Sequence, residues 1–431
     1  MRPFEIVLIG IFVVGAIAGI IALKMYQGDE AEEQRYGARV VVWGTLKREA
    51  FEKVIQEAST ADKALDVVEY VEKDARTFDN ELLNAVAEGR SPDLIVLPHT
   101  LLATYRSKLT PLSFETIPER TFRDTYIDGA EIFMRGDGVY GIPFAVDPLV
   151  LYWNRGLFSS AGLATPPRTW EALISQSVPA LVRKSDTYAL LQSAIAFGEY
   201  ANVAHAKEIL SMLLFQAGTT IVEERDMRYH VTLNTKIANG LPPGDAVFGF
   251  YTQFSLPSSA VYSWNRSRSL DRTEFLDGRL AMYFGLGSEY KELALENPNL
   301  NFDVAPVPQG SGATVLRNYG TMYAFAIPRA SSNVSGAYQL AVTLSSGANV
   351  DALTATLGFA PVLRSLYSTP VTDPFKKNIR ESALIARGWL DPNPTESSEL
   401  FKHMTEEITS GRTRTGEVMT DAVYTLEALF R

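Results

Sequence analysis

Apolar and polar positions alternate along residues 139–153, which predicts a long β-strand. The apolar positions carry aromatic, β-branched and other large side chains suited to a pleated sheet, namely Val139, Tyr140, Ile142, Phe144, Val146, Leu149, Leu151 and Trp153. Asp147 and Pro148 interrupt this pattern. Because desolvating an unpaired carboxylate inside a sheet is costly, we expect the chain to pass through an open cleft at Asp147.

The hydrophobic period changes after this strand. Pro166 and Pro167 break regular structure, and Thr169 is a residue type that caps helices. Trp170 and Leu173 then begin an apolar face with helical spacing. The pattern therefore predicts a strand, a carboxylate, a turn and a capped helix, in that order.

Strand and helix patterns alternate in the first third of the chain. Apolar strands are predicted at 39–43, 67–71 and 93–97, and helices at 47–58 and 79–88, the second capped by Asp79 and ended by Gly89. Such alternation predicts an α/β fold with a parallel sheet, whose ligands bind at the carboxyl ends of the strands. Thr45, which follows Trp43, and His99, which follows Leu97, are therefore candidate contacts.

Later segments carry weaker signals. Residues 188–216 have Ala-rich and Leu-rich faces and are predicted to be helical, and the sequence to residue 244 is polar and rich in turn residues. Residues 416–430 predict a final amphipathic helix. Four further side chains are assigned to loops, namely Trp264, Arg364, Trp389 and Phe401.

The amino terminus contains a membrane-spanning pattern. Residues 4–23 carry one charge, Glu5, and are long enough to span about 30 Å of hydrocarbon as a helix. We predict an uncleaved transmembrane anchor at 1–28 and an acidic tether at 29–37, with the binding domain on the extracytoplasmic side. A cleaved signal peptide is the alternative, because Ala16 and Ala18 form a small-residue pair that a signal peptidase accepts.

Composition and charge narrow the function classes. At 431 residues and 46% hydrophobic content, the chain is too long for one compact core, so two lobes are expected. The net charge of −10 argues against a nucleic-acid partner. The chain has no cysteine, which excludes disulfides, thiolate metal sites, cysteine nucleophiles and a cysteine-linked lipid anchor.

Motifs typical of enzymes are missing from the sequence. The four histidines are scattered without metal-ligand spacing, and there is no Gly-x-Ser-x-Gly elbow, phosphate loop or dinucleotide fingerprint. Glycoside hydrolysis by paired carboxylates is the remaining enzymatic alternative, with Asp147, Glu289 and Asp303 as the acids. We predict a protein that is not an enzyme and that has no catalytic residue, metal or cofactor.

Four ordered motifs resemble those of the family 1 extracellular solute-binding proteins, the maltose-type receptors of ABC importers. The first runs from Tyr140 to Glu171 and contains Asp147. The other three are FLDGRLAM at 275–282 with a Gly/Ser-rich loop at 285–288, VAPVPQG at 304–310 followed by Asn318-Tyr-Gly, and GFAPVLRSL at 358–366. Many relatives carry a tryptophan near position 287 and a lipobox cysteine, and this chain has neither. The resemblance covers residues 38–431.

This resemblance implies a two-lobed periplasmic-binding-protein fold of type II. The first lobe would comprise 38–146 and 326–358, and the second 147–325 and 359–431, with hinge crossovers between them. The implied function is a receptor that binds a mono- or oligosaccharide in the interlobe cleft and delivers it to an ABC permease by hinge closure. The alternative is a membrane-anchored sensory or scaffold module that signals ligand occupancy without transport.

Carboxylates that accept hydroxyl groups and rings that pack on C–H faces are the chemistry that sugars need. The predicted ligand-binding residues are Asp147, Tyr319, Trp43, Thr45, Tyr152, His99, Ser288, Trp264, Arg364, Trp389 and Phe401. For the rings the alternative is a place in the core, and for Asp147 it is a helix cap or a hinge hydrogen bond. Polyols, glycerol phosphates and polyamines stay open as ligands. A phosphate ester would require arginine or lysine in the site, and a polyamine would require clustered carboxylates.

Overall fold

The computed structural model describes residues 36–37, 39–226, 228–236 and 241–430. The chain divides into two compact units, and each is discontinuous in sequence. The first unit comprises the chain up to Val96 together with Ile327–Asn349. The second comprises Leu97–Ala326 and Val350–Arg431. The lobe boundaries given above, at 146, 325 and 358, stay a prediction.

The first unit is built on parallel strands, as the alternating pattern predicts. Val40–Gly44 lies between Val68–Glu72 and Leu94–Pro98 and runs parallel to both. The helices Arg48–Ser59 and Phe78–Ala87 connect these strands, and Val334–Leu344 is a further helix of the unit. The Phe51 ring stacks on Tyr70 at a centroid distance of 4.1 Å, so the first helix is held on the sheet by its apolar face.

One predicted helix cap in the first unit is wrong. The helix Phe78–Ala87 has Thr77 at its N-cap position, and Asp79 lies inside its first turn. A carboxylate in the first turn still interacts favourably with the helix dipole, which explains why the pattern there resembles a cap. The predicted end of the helix is confirmed, because Gly89 has a φ of +69°, a conformation that glycine adopts without strain.

The strand Ile142–Asn154 is the centre of the second unit, and its thirteen residues confirm the predicted long strand. Its first half pairs antiparallel with Asn318–Ala326, and its second half with Leu280–Leu286 and Phe302–Ala305. Leu190–Ile195 pairs parallel to Leu280–Leu286 and carries Arg183–Lys184 at its edge. Two-residue strands at 360–361 and 386–387 add to the same sheet.

The strand continues without a break across Asp147 and Pro148. Asp147 pairs with Thr321, and Pro148 pairs with Gly320. A Cβ on Gly320 would lie 2.8 Å from a methyl group of Val146, so glycine permits this close pairing. The expected opening at Asp147 is absent, since this residue is 2% exposed.

The predicted helix over residues 188–216 is wrong in its first half. Leu190–Ile195 is a strand, and only Ala206–Gln216 is helical. The spacing of apolar residues does not distinguish a short apolar strand from a buried helix. Here pairing with the strand Leu280–Leu286 makes Leu190–Ile195 a strand.

Helices surround the sheet of the second unit. The predicted cap at Thr169 is confirmed, because its hydroxyl accepts a hydrogen bond from the Ala172 N–H at 3.2 Å. The final helix is Thr415–Ala428, close to its predicted bounds. Phe401 lies within a helix rather than a loop, since Pro394–Ser410 is helical and is capped by Asn393. The other α-helices of six or more residues are Glu119–Thr125, Arg155–Ser160, Pro243–Thr252, Asp271–Leu276, Tyr290–Glu296, Gly347–Leu357 and Pro374–Leu384.

The predicted anchor and most of the tether, residues 1–35, lie outside the described residues. Among the residues that are described, no helix is both long enough and apolar enough to cross a membrane.

Candidate functional site

A cavity of about 380 Å³ in the second unit brings tyrosines, a tryptophan and charged groups together, and we call it the tyrosine cavity. Its volume is within the range of small-molecule sites. Its lining consists of Pro98, Thr100, Tyr200, Val203, Ala204, Ala206, Lys207, Glu208, Ser211, Tyr319, Thr321, Tyr323, Trp389, Asp391, Pro394 and Ser398.

One wall of the tyrosine cavity is a strand face. Tyr319, Thr321 and Tyr323 lie two residues apart on the strand Asn318–Ala326, so their side chains point to the same side of the sheet. The Tyr319 and Thr321 hydroxyls are 3.5 Å apart. Burial raises the pKa of both tyrosines, so the wall presents neutral phenols that can donate or accept hydrogen bonds.

Trp389 forms a second wall and is held from several sides. Its ring stacks on Phe401, with centroids 6.1 Å apart and planes 6° apart. Its Nε1–H donates to the Ser211 hydroxyl at 3.2 Å, and the Lys207 ammonium lies 5.5 Å from the ring centroid. The ring is therefore fixed in the cavity wall, and at 3% exposure only a small part of it is available to a ligand.

The positive charge in the tyrosine cavity is already neutralised by the protein. The Lys207 ammonium pairs with Asp391 and donates to the Ser397 hydroxyl at 2.6 Å and to the Pro394 carbonyl at 3.0 Å. The Ser397 hydroxyl in turn donates to the second oxygen of Asp391 at 2.8 Å. The three donors of the ammonium are therefore occupied, and Lys207 holds the cavity wall together.

Glu208 supplies the carboxylate that is left for a ligand. Its ion-pair contact within the described residues is the Nδ1 of His205, 4.0 Å away. Nearby, the Tyr200 and Ser398 hydroxyls are hydrogen bonded to each other at 2.7 Å. The cavity therefore offers one lightly engaged carboxylate, several hydroxyls and aromatic surfaces, which together suit a ligand rich in hydroxyl groups.

Asp147 and Ser288, both predicted ligand contacts, bind each other. The Ser288 hydroxyl donates to Asp147 Oδ2 at 2.6 Å, and its N–H donates to Oδ1 at 3.1 Å. Burial raises the pKa of Asp147 to about 7, although the two bonds from Ser288 act against this rise. Ser288 lies in the 3₁₀ turn Gly287–Glu289, so Asp147 satisfies donors at the start of a helical turn, as in the alternative role of a helix cap, and neither residue lines the tyrosine cavity.

Three predicted aromatic contacts lie in the core of the second unit. Tyr152, Trp264 and Phe401 are each fully buried. The Tyr152 hydroxyl donates to the Leu286 carbonyl at 2.6 Å, and the Trp264 Nε1–H donates to Asn202 at 3.1 Å. Their polar atoms are therefore satisfied by the protein, as expected for buried tyrosine and tryptophan.

His99 and Arg364 have different surroundings. His99 is fully buried between Pro98 and Thr100, which line the tyrosine cavity, and its Nδ1 accepts a hydrogen bond from the Met322 N–H at 3.1 Å. Burial, together with the charge of Lys207, lowers the pKa of His99 to about 3, so the ring is neutral. Arg364 is exposed on a 3₁₀ turn rather than a loop.

Trp43 and Thr45 belong to the first unit, where Trp43 lies in the central strand Val40–Gly44 and Thr45 directly follows it, as predicted. Both are half-buried. The Lys73 ammonium lies 3.9 Å from the centroid of the Trp43 ring, so a cation already covers one face of this ring.

Of the predicted contacts in the second unit, Tyr319 and Trp389 line the tyrosine cavity. The sequence reasoning missed Tyr200, Lys207, Glu208 and Asp391; Lys207 and Glu208 are adjacent on the helix Ala206–Gln216, whereas Asp391 comes from a distant segment. Tyr323 and Thr321 were missed as well, although the spacing Tyr-x-Thr-x-Tyr after Asn318 places all three on one strand face and was a usable signal.

Comparison with known proteins gives a family match. The family model described as bacterial extracellular solute-binding protein matches residues 56–379, about three quarters of the chain. No curated protein sequence matches.

Solved structures give the fold. A cyclo/maltodextrin-binding protein complexed with maltotetraose is 17% identical, with a TM-score of 0.73, and the match covers 91% of this chain and 97% of that one. A solute-binding protein of an ABC transporter from Thermotoga lettingae, bound to α-D-tagatose, is 20% identical with a TM-score of 0.67, covering 92% and 100%. The maltotriose-binding protein of Thermus thermophilus is 17% identical with a TM-score of 0.64, covering 90% and 99%. The fold is therefore the two-lobed α/β fold of periplasmic binding proteins.

Proposed function

Because the chain belongs to the bacterial extracellular solute-binding proteins, we propose that it is the receptor of an ABC importer and binds a mono- or oligosaccharide. The observation that supports the choice of ligand is the tyrosine cavity, whose lining includes Tyr319, Trp389 and the lightly engaged carboxylate of Glu208. Aromatic faces and a carboxylate acceptor are the chemistry that a sugar uses.

The charges of the cavity favour a neutral ligand. Lys207 is occupied by Asp391, Ser397 and Pro394, so no cation of the lining is left for a phosphate ester. One carboxylate, Glu208, is fewer than the cluster that a polyamine requires. A polyhydroxylated neutral solute therefore fits better than either charged class.

The ligands of the structural neighbours support this choice. Their structures contain maltotetraose, α-D-tagatose, maltotriose, mannotriose and acarbose. At 16–20% identity these proteins do not specify which sugar this chain takes. We infer only the class of ligand from them, and the binding test described below identifies the sugar.

The family and the sequence support the remaining parts of the proposal. We propose that the receptor works on the extracytoplasmic side, is anchored by residues 1–28, and delivers its ligand to the permease subunits through hinge closure. A ligand drives such closure only by its higher affinity for the closed form.

Isothermal titration calorimetry of the full-length chain tests the choice of ligand. The panel contains maltotriose, maltotetraose, mannotriose and tagatose, with spermidine and glycerol 3-phosphate as charged comparisons. We expect one or more neutral sugars to bind, and we expect Glu208→Gln to weaken that binding about tenfold, because the charged acceptor is lost. Glu399→Gln is the matched control, since Glu399 is an exposed carboxylate outside the cavity lining.

Two results would contradict the proposal. If spermidine or glycerol 3-phosphate binds and no sugar does, the ligand is a polyamine or a phosphate ester rather than a sugar. Sugar binding that Glu208→Gln leaves unchanged would keep the receptor function but remove the tyrosine cavity as its site.

A further inference from the structure

A second cavity in the same unit carries many more charges, and we call it the arginine cavity. Its volume is about 810 Å³, within the range of small-molecule sites. Part of its lining is apolar and comprises Ile132, Met134, Phe215, Val222, Trp389 and Leu390. The charged part comprises Arg123, Arg135, Arg317, Arg387, Asp128, Glu131 and Glu224. Trp389 also lines the tyrosine cavity, so the two sites share one residue.

The lining of the arginine cavity has an excess of positive charge. Four guanidinium groups face three carboxylates there. Two of those carboxylates are also bound by arginines from outside the lining. Asp128 pairs with Arg387 and Arg364, each at 2.6 Å, and Glu224 pairs with Arg135 at 3.3 Å. Arg106 is the further partner of Glu224, at 2.7 Å.

Arg317 is the cation of this lining that has no ion pair among the described residues, although its charge acts on nearby Asp128. No carboxylate of the described residues lies within ion-pair distance of its guanidinium, which donates instead to the neighbouring Leu316 carbonyl at 3.1 Å. Burial lowers the pKa of Arg387, and the nearby charge of Arg317 lowers it further, whereas the ion pair of Arg387 with Asp128 acts in the opposite direction. The two guanidinium groups repel each other, and a second anion beside Asp128 would relieve the remaining repulsion.

Arg135 has a donor without an acceptor. Its Nη1 pairs with Glu224 and its Nη2 donates to the Glu131 carbonyl at 3.2 Å, but its buried Nε has no partner within the described residues. A buried donor of a charged group is normally satisfied, so the lining of the arginine cavity includes a guanidinium whose hydrogen bonds the protein does not complete.

We propose that the arginine cavity binds a small anionic ligand through a carboxylate or phosphate group held by Arg317 and Arg387. The planar guanidinium presents its donors in a fork that matches either group in a bidentate manner. The apolar side of the lining would accept the remainder of such a ligand. This site shares Trp389 with the proposed sugar site but has different charged groups, and its test does not depend on sugar binding.

Inorganic phosphate and malonate are the probes that test the site, since neither resembles a sugar. Each is titrated into the full-length chain by calorimetry at constant ionic strength, with sodium chloride as the blank. We expect saturable binding of at least one probe, and the probe that binds distinguishes a phosphate from a carboxylate ligand. We expect Arg317→Ala to weaken this binding at least tenfold, because the unpaired guanidinium is lost.

Arg120→Ala is the matched control, since the Arg120 side chain is 93% exposed and outside the lining. It should leave anion binding unchanged. Arg317→Lys keeps the charge without the fork and should give an intermediate affinity, with a melting temperature that verifies folding. Absence of binding by both probes, or equal weakening by Arg317→Ala and Arg120→Ala, would overturn the proposal.

Discussion

The carboxylate of Glu289 accepts a hydrogen bond from His205, with Oε1 and Nε2 2.7 Å apart, and this pair joins two distant segments of the second unit. The other oxygen of Glu289 accepts from the Tyr283 hydroxyl at 2.7 Å. Burial alone would lower the pKa of His205, but Glu289 outweighs it and raises the pKa to about 9. The pair is therefore ionised at neutral pH.

Replacing His205 should change how stability depends on pH. A histidine whose pKa is higher in the folded than in the unfolded protein stabilises the fold fully below pH 6.5 and loses this effect as pH rises through about 9. We expect His205→Gln to lower the free energy of unfolding by about 2 kcal/mol at pH 6 and much less at pH 9. Urea unfolding between pH 6 and 9 measures this, with the exposed His403→Gln as control. An equal loss at both pH values would contradict the ion pair.

Asp147 should contribute a second pH effect in a lower range. Its pKa rises from 3.8 to about 7 in the folded protein, so its contribution favours the fold below pH 4 and is lost as pH rises through 7. We expect Asp147→Asn to remove about 2 kcal/mol of the decline in unfolding free energy between pH 4 and 8. Thermal melting across this range gives the comparison, and the exposed Glu399→Gln should keep the wild-type slope. An unchanged slope in Asp147→Asn would show that this carboxylate ionises normally.

Gly388 should not tolerate a side chain. A Cβ at this position would meet the buried His99 ring, with Cε1 2.8 Å away. We expect Gly388→Ala to destabilise the protein by about 1–3 kcal/mol, and we expect His99→Ala in the same chain to remove most of that added cost. The control is Gly249→Ala, because Gly249 lies in the helix Pro243–Thr252 with no atom within 4 Å of its Cβ, and this change should stabilise the helix by about 0.5–1 kcal/mol. Simple additivity of the first two changes would count against the steric contact.

Two predicted site tyrosines should respond differently to loss of their hydroxyls. Tyr152 donates to the Leu286 carbonyl at 2.6 Å within the core, so Tyr152→Phe should lower the unfolding free energy by about 1 kcal/mol and leave sugar affinity unchanged. Tyr319 lines the tyrosine cavity, so Tyr319→Phe should weaken sugar binding about fivefold with little effect on stability. Chemical unfolding and calorimetry on both variants separate the two roles. The opposite pattern would place the ligand near Tyr152.

The sequence by itself determined the elements with strong local signals. The strand–helix alternation of the first unit, the long strand at Ile142–Asn154, the Thr169 cap and the last helix all depend on patterns within a few residues of one another. The ordered motifs were specific enough to indicate the family, because four of them occur in the right order along the chain.

Only the tertiary structure decided which side chains meet. Leu190–Ile195 is a strand because Leu280–Leu286 pairs with it. Both carboxylate oxygens of Asp147 accept hydrogen bonds from Ser288, which is 141 residues away along the chain. Glu208 and Trp389 come together from distant segments to line the tyrosine cavity. Trp264, which was predicted as a loop residue like Trp389, lies in the core instead. Local patterns set the elements, whereas burial and partners depend on long-range packing that no single stretch of sequence contains.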